Sequence, residues 1–237
     1  GACYGVERAL QMVEGAAAER SGAVHTLGPL IHNPRVVADL AALGVDAVDS
    51  PEDAAGDTLL LRTHGTAPEE EARARELCAR VLDATCPFVK KVHLAARRLA
   101  NEGYQVVVVG EAGHPEVEAT LPHAPGAVVV GSAEQARAVP RARRMGVVVQ
   151  TTARRELLAE VVGELLGRAE ELRVVNTICE ATSGHQAAAE ELAREADVMI
   201  VIGGRISANT TRLAEISAAC CPATHHVEGA DELRADW

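Results

Sequence analysis

Aromatic residues are almost absent from this sequence. Phe, Trp and Tyr make up 2% of its 237 residues, whereas 48% of the residues are hydrophobic. A chain of this length and composition can bury a substantial core. Because rings are so scarce, Val, Leu and Ala must supply the packing.

Long apolar runs and an excess of basic charge are missing too. No segment reaches the roughly 18 consecutive apolar residues that a membrane span needs, and the sequence opens on Gly1-Ala2-Cys3 rather than on a charged segment leading into an apolar one. The 23 basic and 34 acidic residues give a net charge of −11, the wrong sign for tracking a phosphate backbone. We therefore expect a cytoplasmic protein that binds neither membranes nor nucleic acids.

Short β-branched runs alternate with helical patterns along the chain. Residues 105–109 and 198–202 are nearly continuous apolar runs, and each is followed by glycine. Such runs are typical of strands that are covered on both faces, as in parallel sheets. Apolar residues at spacings of three and four after Cys3 and Cys86 predict helices. The alternation predicts an α/β protein with small, mostly parallel sheets flanked by helices.

The order of these elements repeats three times. Cys3, Cys86 and Cys179 each stand directly before a predicted helix, which is followed by a strand, a polar loop, a second helix and a short strand. The repeat predicts three similar lobes at residues 1–80, 81–171 and 172–237. By this register, lobe one lacks the strand before Cys3, and lobe three lacks its last strand and loop. We therefore expect the chain to be truncated at both ends.

Three thiols at equivalent positions favour a shared metal site. The partial positive charge of a helix N-terminus favours a thiolate, and thiolates bind iron and zinc. One such cysteine alone is better explained as a small buried apolar residue, but three suggest a ligand set that leaves a metal with an open position. The other cysteines lie on apolar helical faces and are expected to be structural, with a weaker redox alternative for the adjacent pair. They are Cys78, Cys220 and Cys221.

Polar side chains follow the predicted strands. Ligands of open parallel sheets bind beyond the carboxyl ends of the strands, and imidazoles, amides and hydroxyls can bind a phosphate or diphosphate. The candidates are His32, Asn33, His64, His114, Glu116, Gln150, Thr151, Ser207 and Asn209.

Glu116 is the candidate proton donor. It lies in a predicted strand-end loop two residues after His114, and near a buried reaction centre its pKa would rise, as suits a proton donor. Glu118 ranks second because it falls in the following helix, and a solvated acid in a first helical turn is the alternative for both. The remaining loop histidines are expected to be solvated or to cap helices. They are His25, His93, His123, His225 and His226.

Seven motifs, in order along the whole chain, resemble the LytB/IspH family of 4-hydroxy-3-methylbut-2-enyl diphosphate reductases. They are GACYGVERA at residues 1–9, LIHN at 30–33, THG at 63–65, DATCP at 83–87, GHPEVE at 113–118, QTT at 150–152 and TIC at 177–179.

The resemblance implies a trefoil arrangement of three α/β lobes around one 4Fe-4S cluster held by Cys3, Cys86 and Cys179. It implies Glu116 as the proton source and Thr151 orienting the hydroxyl end of the substrate, with His114 also at the catalytic centre. Ferredoxin or flavodoxin would supply the electrons that remove the allylic hydroxyl, giving isopentenyl and dimethylallyl diphosphate in the non-mevalonate isoprenoid pathway. The diphosphate would be held by His32, His64, His114, Ser207 and Asn209.

Two other functions are compatible with the same residues. A non-catalytic iron–sulfur binding or redox-sensing module would keep the three cysteines and lose the pocket. A phosphate-binding protein with structural thiols would keep the pocket and tolerate loss of the cysteines. Only the enzyme needs Glu116 as an acid.

Overall fold

The computed structural model describes residues 3–19 and 22–237 and divides the chain into two compact units. The first unit comprises Gly1–Ile31 and Val37–Ile178, and the second comprises His32–Val36 and Cys179–Trp237. No helix in the described part of the chain is long and apolar enough to cross a membrane.

The first parallel sheet of the first unit is built from four short strands. They are β1 (Val24–Leu27), β2 (Val45–Val48), β3 (Thr58–Leu61) and β4 (Arg80–Asp83). Their order is β2-β1-β3-β4, and every neighbouring pair is parallel. The helices in this stretch of the chain are α1 (Tyr4–Ala18), α2 (Pro34–Ala42) and α3 (Pro68–Leu77).

The second parallel sheet of this unit repeats the first. Its strands are β5 (Gln105–Val109), β6 (Val128–Val130), β7 (Ala142–Val149) and β8 (Ala169–Val174), in the order β6-β5-β7-β8. The strand order follows the same scheme as in the first sheet, which confirms the predicted repeat of elements. The helices here are α4 (Pro87–Asn101), α5 (Pro115–Thr120), α6 (Ala133–Ala138) and α7 (Arg155–Leu165).

Both faces of the second sheet are buried. Val107 and Val147 pack on one face with Leu158 of α7, while Val108 packs on the other with Leu99 of α4. Each face therefore has its own hydrophobic core, as the continuous apolar run predicted. The expected α/β class with small parallel sheets is confirmed.

The second unit holds one parallel pair of strands, β9 (Met199–Ile202) and β10 (Thr224–Val227), with helices α8 (Glu180–Glu195) and α9 (Ala208–Cys220). Its buried cluster contains Met199 and Cys221. Cys78 lies in the core of the first sheet. Both cysteines are therefore core residues, as predicted.

Each strand that precedes a cysteine helix pairs with the sheet formed by the preceding segment of chain. β4, before Cys86, pairs with β3, and β8, before Cys179, pairs with β7. The chain thus alternates between completing one sheet and starting the next repeat. The three-lobe division at residues 80 and 171 stays a prediction.

Candidate active site

Each of the three repeated cysteines caps a helix. Cys3, Cys86 and Cys179 are the N-cap residues of α1, α4 and α8. Pro87 takes the first helical position after Cys86, where no amide hydrogen is needed. The predicted place of each thiol at a helix start is confirmed.

Gly5, in the first turn of α1, lies close to two of these thiols. A Cβ added to Gly5 would lie 2.6 Å from the Cys86 Sγ and 4.0 Å from the Cys3 Sγ. Both sulfur atoms therefore lie against the same point of the α1 backbone, which only glycine leaves open. Sequence reasoning missed this role, although a glycine inside a helical pattern is costly and signals a close approach.

Backbone and side-chain bonds hold the two thiols in place. The Cys86 amide donates to the Thr63 carbonyl at 3.0 Å, which fixes the start of α4 to the loop after β3. Arg8 of α1 donates to the carbonyls of Thr85 and Asp83 at 3.3 and 3.2 Å. The two cysteine-capped helices of the first unit are thus tied together at their N-terminal ends.

Cys179 belongs to the second unit. Its Sγ accepts a hydrogen bond from the Thr182 amide at 3.2 Å and lies 2.8 Å from the Thr182 Oγ1. Among the described residues, no three His, Cys, Asp or Glu side chains form a metal-binding group. The two thiols of the first unit have the chemistry that iron–sulfur ligation needs, while the three-cysteine ligand set stays a prediction.

Glu116 and Thr151 form a buried pair. Glu116 is the second residue of α5, so its expected place in the strand-end loop before the helix is wrong, but it is buried, with 2% exposure. Its Oε1 accepts from the Thr151 amide at 2.6 Å, and its Oε2 is 2.7 Å from the Thr151 Oγ1. Thr151 lies just after β7, and this position directs both its amide and its hydroxyl towards the Glu116 carboxyl.

Burial raises the pKa of Glu116 to about 7. Loss of water around the carboxylate is the main cause, and the two bonds from Thr151 partly oppose it. The carboxyl therefore titrates near neutral pH and can release a proton there. The solvated-acid alternative is excluded for Glu116, whereas Glu118 is exposed and its Oε1 accepts from the Gly113 amide.

His114 is held in one tautomer by its own helix. It is the N-cap of α5, and its Nδ1 accepts from the Glu116 amide at 3.1 Å. In the neutral ring the proton is therefore on Nε2, which becomes a donor. The His64 ring meets His114 edge to face, with centroids 5.7 Å apart. The first unit thus brings the two predicted histidines together.

Gln150 and Thr177 position the strand ends rather than a ligand. The Gln150 Oε1 accepts from the Glu111 amide at 2.9 Å and so joins the loops after β5 and β7. The Thr177 hydroxyl accepts from the Val149 amide at 2.8 Å and donates to the Val149 carbonyl. Thr177 was not among the candidates. A hydroxyl that takes the place of a backbone hydrogen-bond partner leaves no recognisable sequence pattern.

The second unit contains the other predicted polar residues. A Cβ added to Gly204 would lie 2.5 Å from the His32 carbonyl oxygen, so the His32 loop packs on the loop that leads to Ser207. Ser207 caps α9 by accepting from Thr210. The Oδ1 of Asn209 is buried and has no hydrogen-bond partner among the described residues.

Asn33 has a purely local role. Its Oδ1 accepts from the amides of Arg35 and Val36 at 3.0 and 3.4 Å and caps the start of α2. A side chain engaged in this way is typical of a helix N-cap. Asn33 is therefore a structural residue of the His32 loop.

Parallel sheets, a buried carboxyl that titrates near neutral pH and paired thiols at helix starts together define an α/β enzyme with acid–base and thiol chemistry. The chain belongs to the LytB family, because the model for "LytB protein" matches residues 1–237. Proteins of this family are in general iron–sulfur proteins.

Named relatives are reductases of one substrate. The chain is 50% identical over 240 residues to 4-hydroxy-3-methylbut-2-enyl diphosphate reductase of Geobacter sulfurreducens and 46% identical over 241 residues to that of Aquifex aeolicus. The matches cover all of this chain and 84% and 83% of the two relatives.

Solved structures show the same fold. One, described as (E)-4-hydroxy-3-methyl-but-2-enyl diphosphate reductase, the terminal enzyme of the non-mevalonate pathway, is 46% identical with a TM-score of 0.76. The reductase from Plasmodium falciparum is 25% identical with a TM-score of 0.91. Both cover all of this chain, and the chain covers 86% and 76% of them.

Proposed function

We propose that this protein is a cytoplasmic reductase that removes the allylic hydroxyl of 4-hydroxy-3-methylbut-2-enyl diphosphate and gives isopentenyl and dimethylallyl diphosphate. The family and the names of its relatives support the substrate. The buried Glu116–Thr151 pair is the observation that carries the chemistry. A non-catalytic module would have no use for it.

Cys3, Cys86 and Cys179 are proposed to hold one 4Fe-4S cluster through three thiolates. The contact of two of these thiols at Gly5 supports this ligand set. When bound, the cluster supplies electrons and an iron site for the substrate oxygen. Ferredoxin or flavodoxin is the proposed source of the two electrons. Together with two protons, they convert the allylic alcohol into an alkene and water.

The bonds of Thr151 decide where the acidic proton resides. The Thr151 amide can only donate, so the Glu116 Oε1 must accept and the proton belongs on Oε2. Protonated Oε2 donates to the Thr151 Oγ1, which frees the threonine hydroxyl to donate to the leaving oxygen of the substrate. Glu116 thus acts through Thr151 as the proton source.

The diphosphate is proposed to bind to a set of polar side chains, and neutral imidazoles suit this role because they donate hydrogen bonds without adding a strong local charge. The Nε2 proton of His114 supports its assignment, and Asn209 would donate to the diphosphate through its side-chain Nδ2, because its amide oxygen can only accept. The proposed ligands of the diphosphate are His32, His64, His114, Ser207 and Asn209.

Substitution of Glu116 tests the proposal. Anaerobically reconstituted E116Q should keep the visible absorption of the cluster and lose turnover of the substrate with a reduced dye by at least about 100-fold, the typical contribution of a general acid. E118Q is the matched control, because this exposed carboxylate lies two residues further along α5. Wild-type turnover in E116Q would contradict the role of Glu116, and colourless wild-type protein would contradict the enzyme.

A further inference from the structure

Two histidines outside the proposed reaction stack on each other in the first unit. The rings of His93 and His123 are 4.4 Å apart and inclined by 22°. His93 lies on α4 and His123 ends the 3₁₀ turn Leu121–His123. His93 is only 9% exposed, so the expectation that it is a solvated or capping residue is wrong. The helix turns this side chain inward beside Val92.

A cavity of about 250 Å³ opens beside the two rings. Three polar atoms of its lining are buried and have no hydrogen-bond partner among the described residues: the Thr66 Oγ1, the His93 Nε2 and the His123 Nε2. Thr66 is 6% exposed. Buried polar atoms are nearly always satisfied in native proteins, so these three point to a polar ligand.

The unmatched charge at the cavity is positive. Lys90 forms an ion pair with Asp83, and Glu71 pairs with Arg75. Arg97 lines the cavity one helical turn beyond His93 and forms no ion pair with any described residue. Its guanidinium is therefore available to an anion, and Arg binds oxyanions with parallel hydrogen bonds.

The pKa values of the two histidine rings are lowered as well. Burial lowers the pKa of His93 to about 4, and His123 and Lys90 lower it further while Asp83 opposes them. Burial also lowers the pKa of His123, and Arg97 adds to the effect against the opposing Glu69 and Glu71. Both shifts favour the neutral rings, and a bound anion would favour their protonated forms.

We propose that this cavity binds a small oxyanion, a phosphate or carboxylate group, held by Arg97 and by hydrogen bonds from Thr66, His93 and His123. The cavity is large enough for such a group with a short organic substituent. A metal is a poorer fit, since no three His, Cys, Asp or Glu side chains form a ligand group among the described residues.

The cavity adjoins the loop that carries His64. Gly65 has a φ of 86°, and a Cβ there would lie 2.5 Å from the His93 Cε1. The imidazole therefore packs directly on the backbone between His64 and Thr66. A bound oxyanion that fixes the His93 ring also fixes this loop.

Histidine NMR of the full chain tests the proposal. Signals are assigned by their loss in H93Q and in H123Q, and the protein is titrated with inorganic phosphate or acetate against chloride at constant ionic strength. We expect one of the two oxyanions, but not chloride, to raise the pKa of His93. R97Q should weaken its binding about tenfold, the cost of losing a charge-assisted hydrogen bond.

K91Q is the control, because Lys91 is exposed on the same helix and lies over the Phe88 ring rather than at the cavity. A response to phosphate alone identifies a phosphoryl ligand, and a response to acetate alone identifies a carboxylate. Three results overturn the proposal: no response to either oxyanion, equal weakening in K91Q and R97Q, or Zn²⁺ binding that is lost in H93Q and H123Q and unchanged in R97Q.

Discussion

Glu116 and Glu118 show how position alone changes the chemistry of one residue type. They are two residues apart on α5, yet Glu116 is buried and Glu118 is exposed. The buried carboxyl loses hydration that its two bonds from Thr151 only partly replace, so its pKa rises to about 7. The buried acid can therefore donate a proton at neutral pH, whereas the exposed one accepts a hydrogen bond from the Gly113 amide.

The pH dependence of turnover should report the Glu116 proton. The active form is protonated, so kcat/KM should fall as the pH rises through about 7. T151V removes a bond that lowers this pKa, so the fall should move to higher pH while the rate drops. T151S, which keeps the hydroxyl, should behave like the wild type. If kcat/KM of T151V fell at the same pH as in the wild type, the assignment of Glu116 as the proton source would be contradicted.

The Glu116 carboxyl should also lower the stability of the folded protein in alkaline solution. The pKa of Glu116 is higher in the folded chain than the ordinary value of 4.5, so folding favours the protonated form and stability falls as the pH rises from 4.5 through 7. At pH 8, E116Q should raise the free energy of unfolding by up to roughly 3 kcal/mol. At pH 4 its effect should vanish. Denaturant unfolding at both pH values measures the difference, and equal effects would refute this account.

At the scale of elements, the site depends on one device used three times. A cysteine caps a helix, after a parallel strand at Cys86 and Cys179, and at α1 and α4 the two helix starts approach closely enough for both thiols to lie near Gly5. Arg8 reinforces this approach by bonding to the chain just before Cys86. The distance between the helices, rather than either helix alone, sets the thiol geometry.

Two glycines of α1 allow a matched test. G15A should stabilise the protein by about 0.5–1 kcal/mol, because nothing lies within 4 Å of the added methyl group and alanine favours the helix. G5A should lower iron content after reconstitution, because its methyl group would lie 2.6 Å from the Cys86 Sγ. Iron analysis and thermal unfolding measure both effects. Wild-type iron content in G5A would show that the thiol contact is unimportant.

Several elements were predictable from local pattern. The β-branched run of β5 reads as a strand buried on both faces, and its two cores confirm it. β8 ends at Val174, five residues before Cys179. Thr177 satisfies the Val149 backbone with its side chain instead. A hydroxyl can replace the backbone hydrogen bonds between strands only when the fold brings it to the end of a strand. No local sequence pattern reveals that approach.

At the scale of the whole molecule, the six cysteines should divide into two groups. C3S, C86S and C179S should each reduce iron content and turnover, because each removes a proposed ligand. C220S should retain both, since this half-buried residue ends α9. Iron and sulfide analysis of anaerobically reconstituted proteins measures this. Full iron content in any of the first three variants would contradict the three-thiolate ligand set.

The amino-acid order alone established the α/β class, the repeated cysteine-capped helices, the family resemblance and the choice of Glu116 as the acid. These features rest on local periodicity and short motifs, which neighbouring residues determine. The burial of Glu116, the approach of two thiols to Gly5 and the cavity beside His93 emerged only from the folded chain. Each depends on groups far apart in sequence, and their approach, and with it the loss of water, is set by packing.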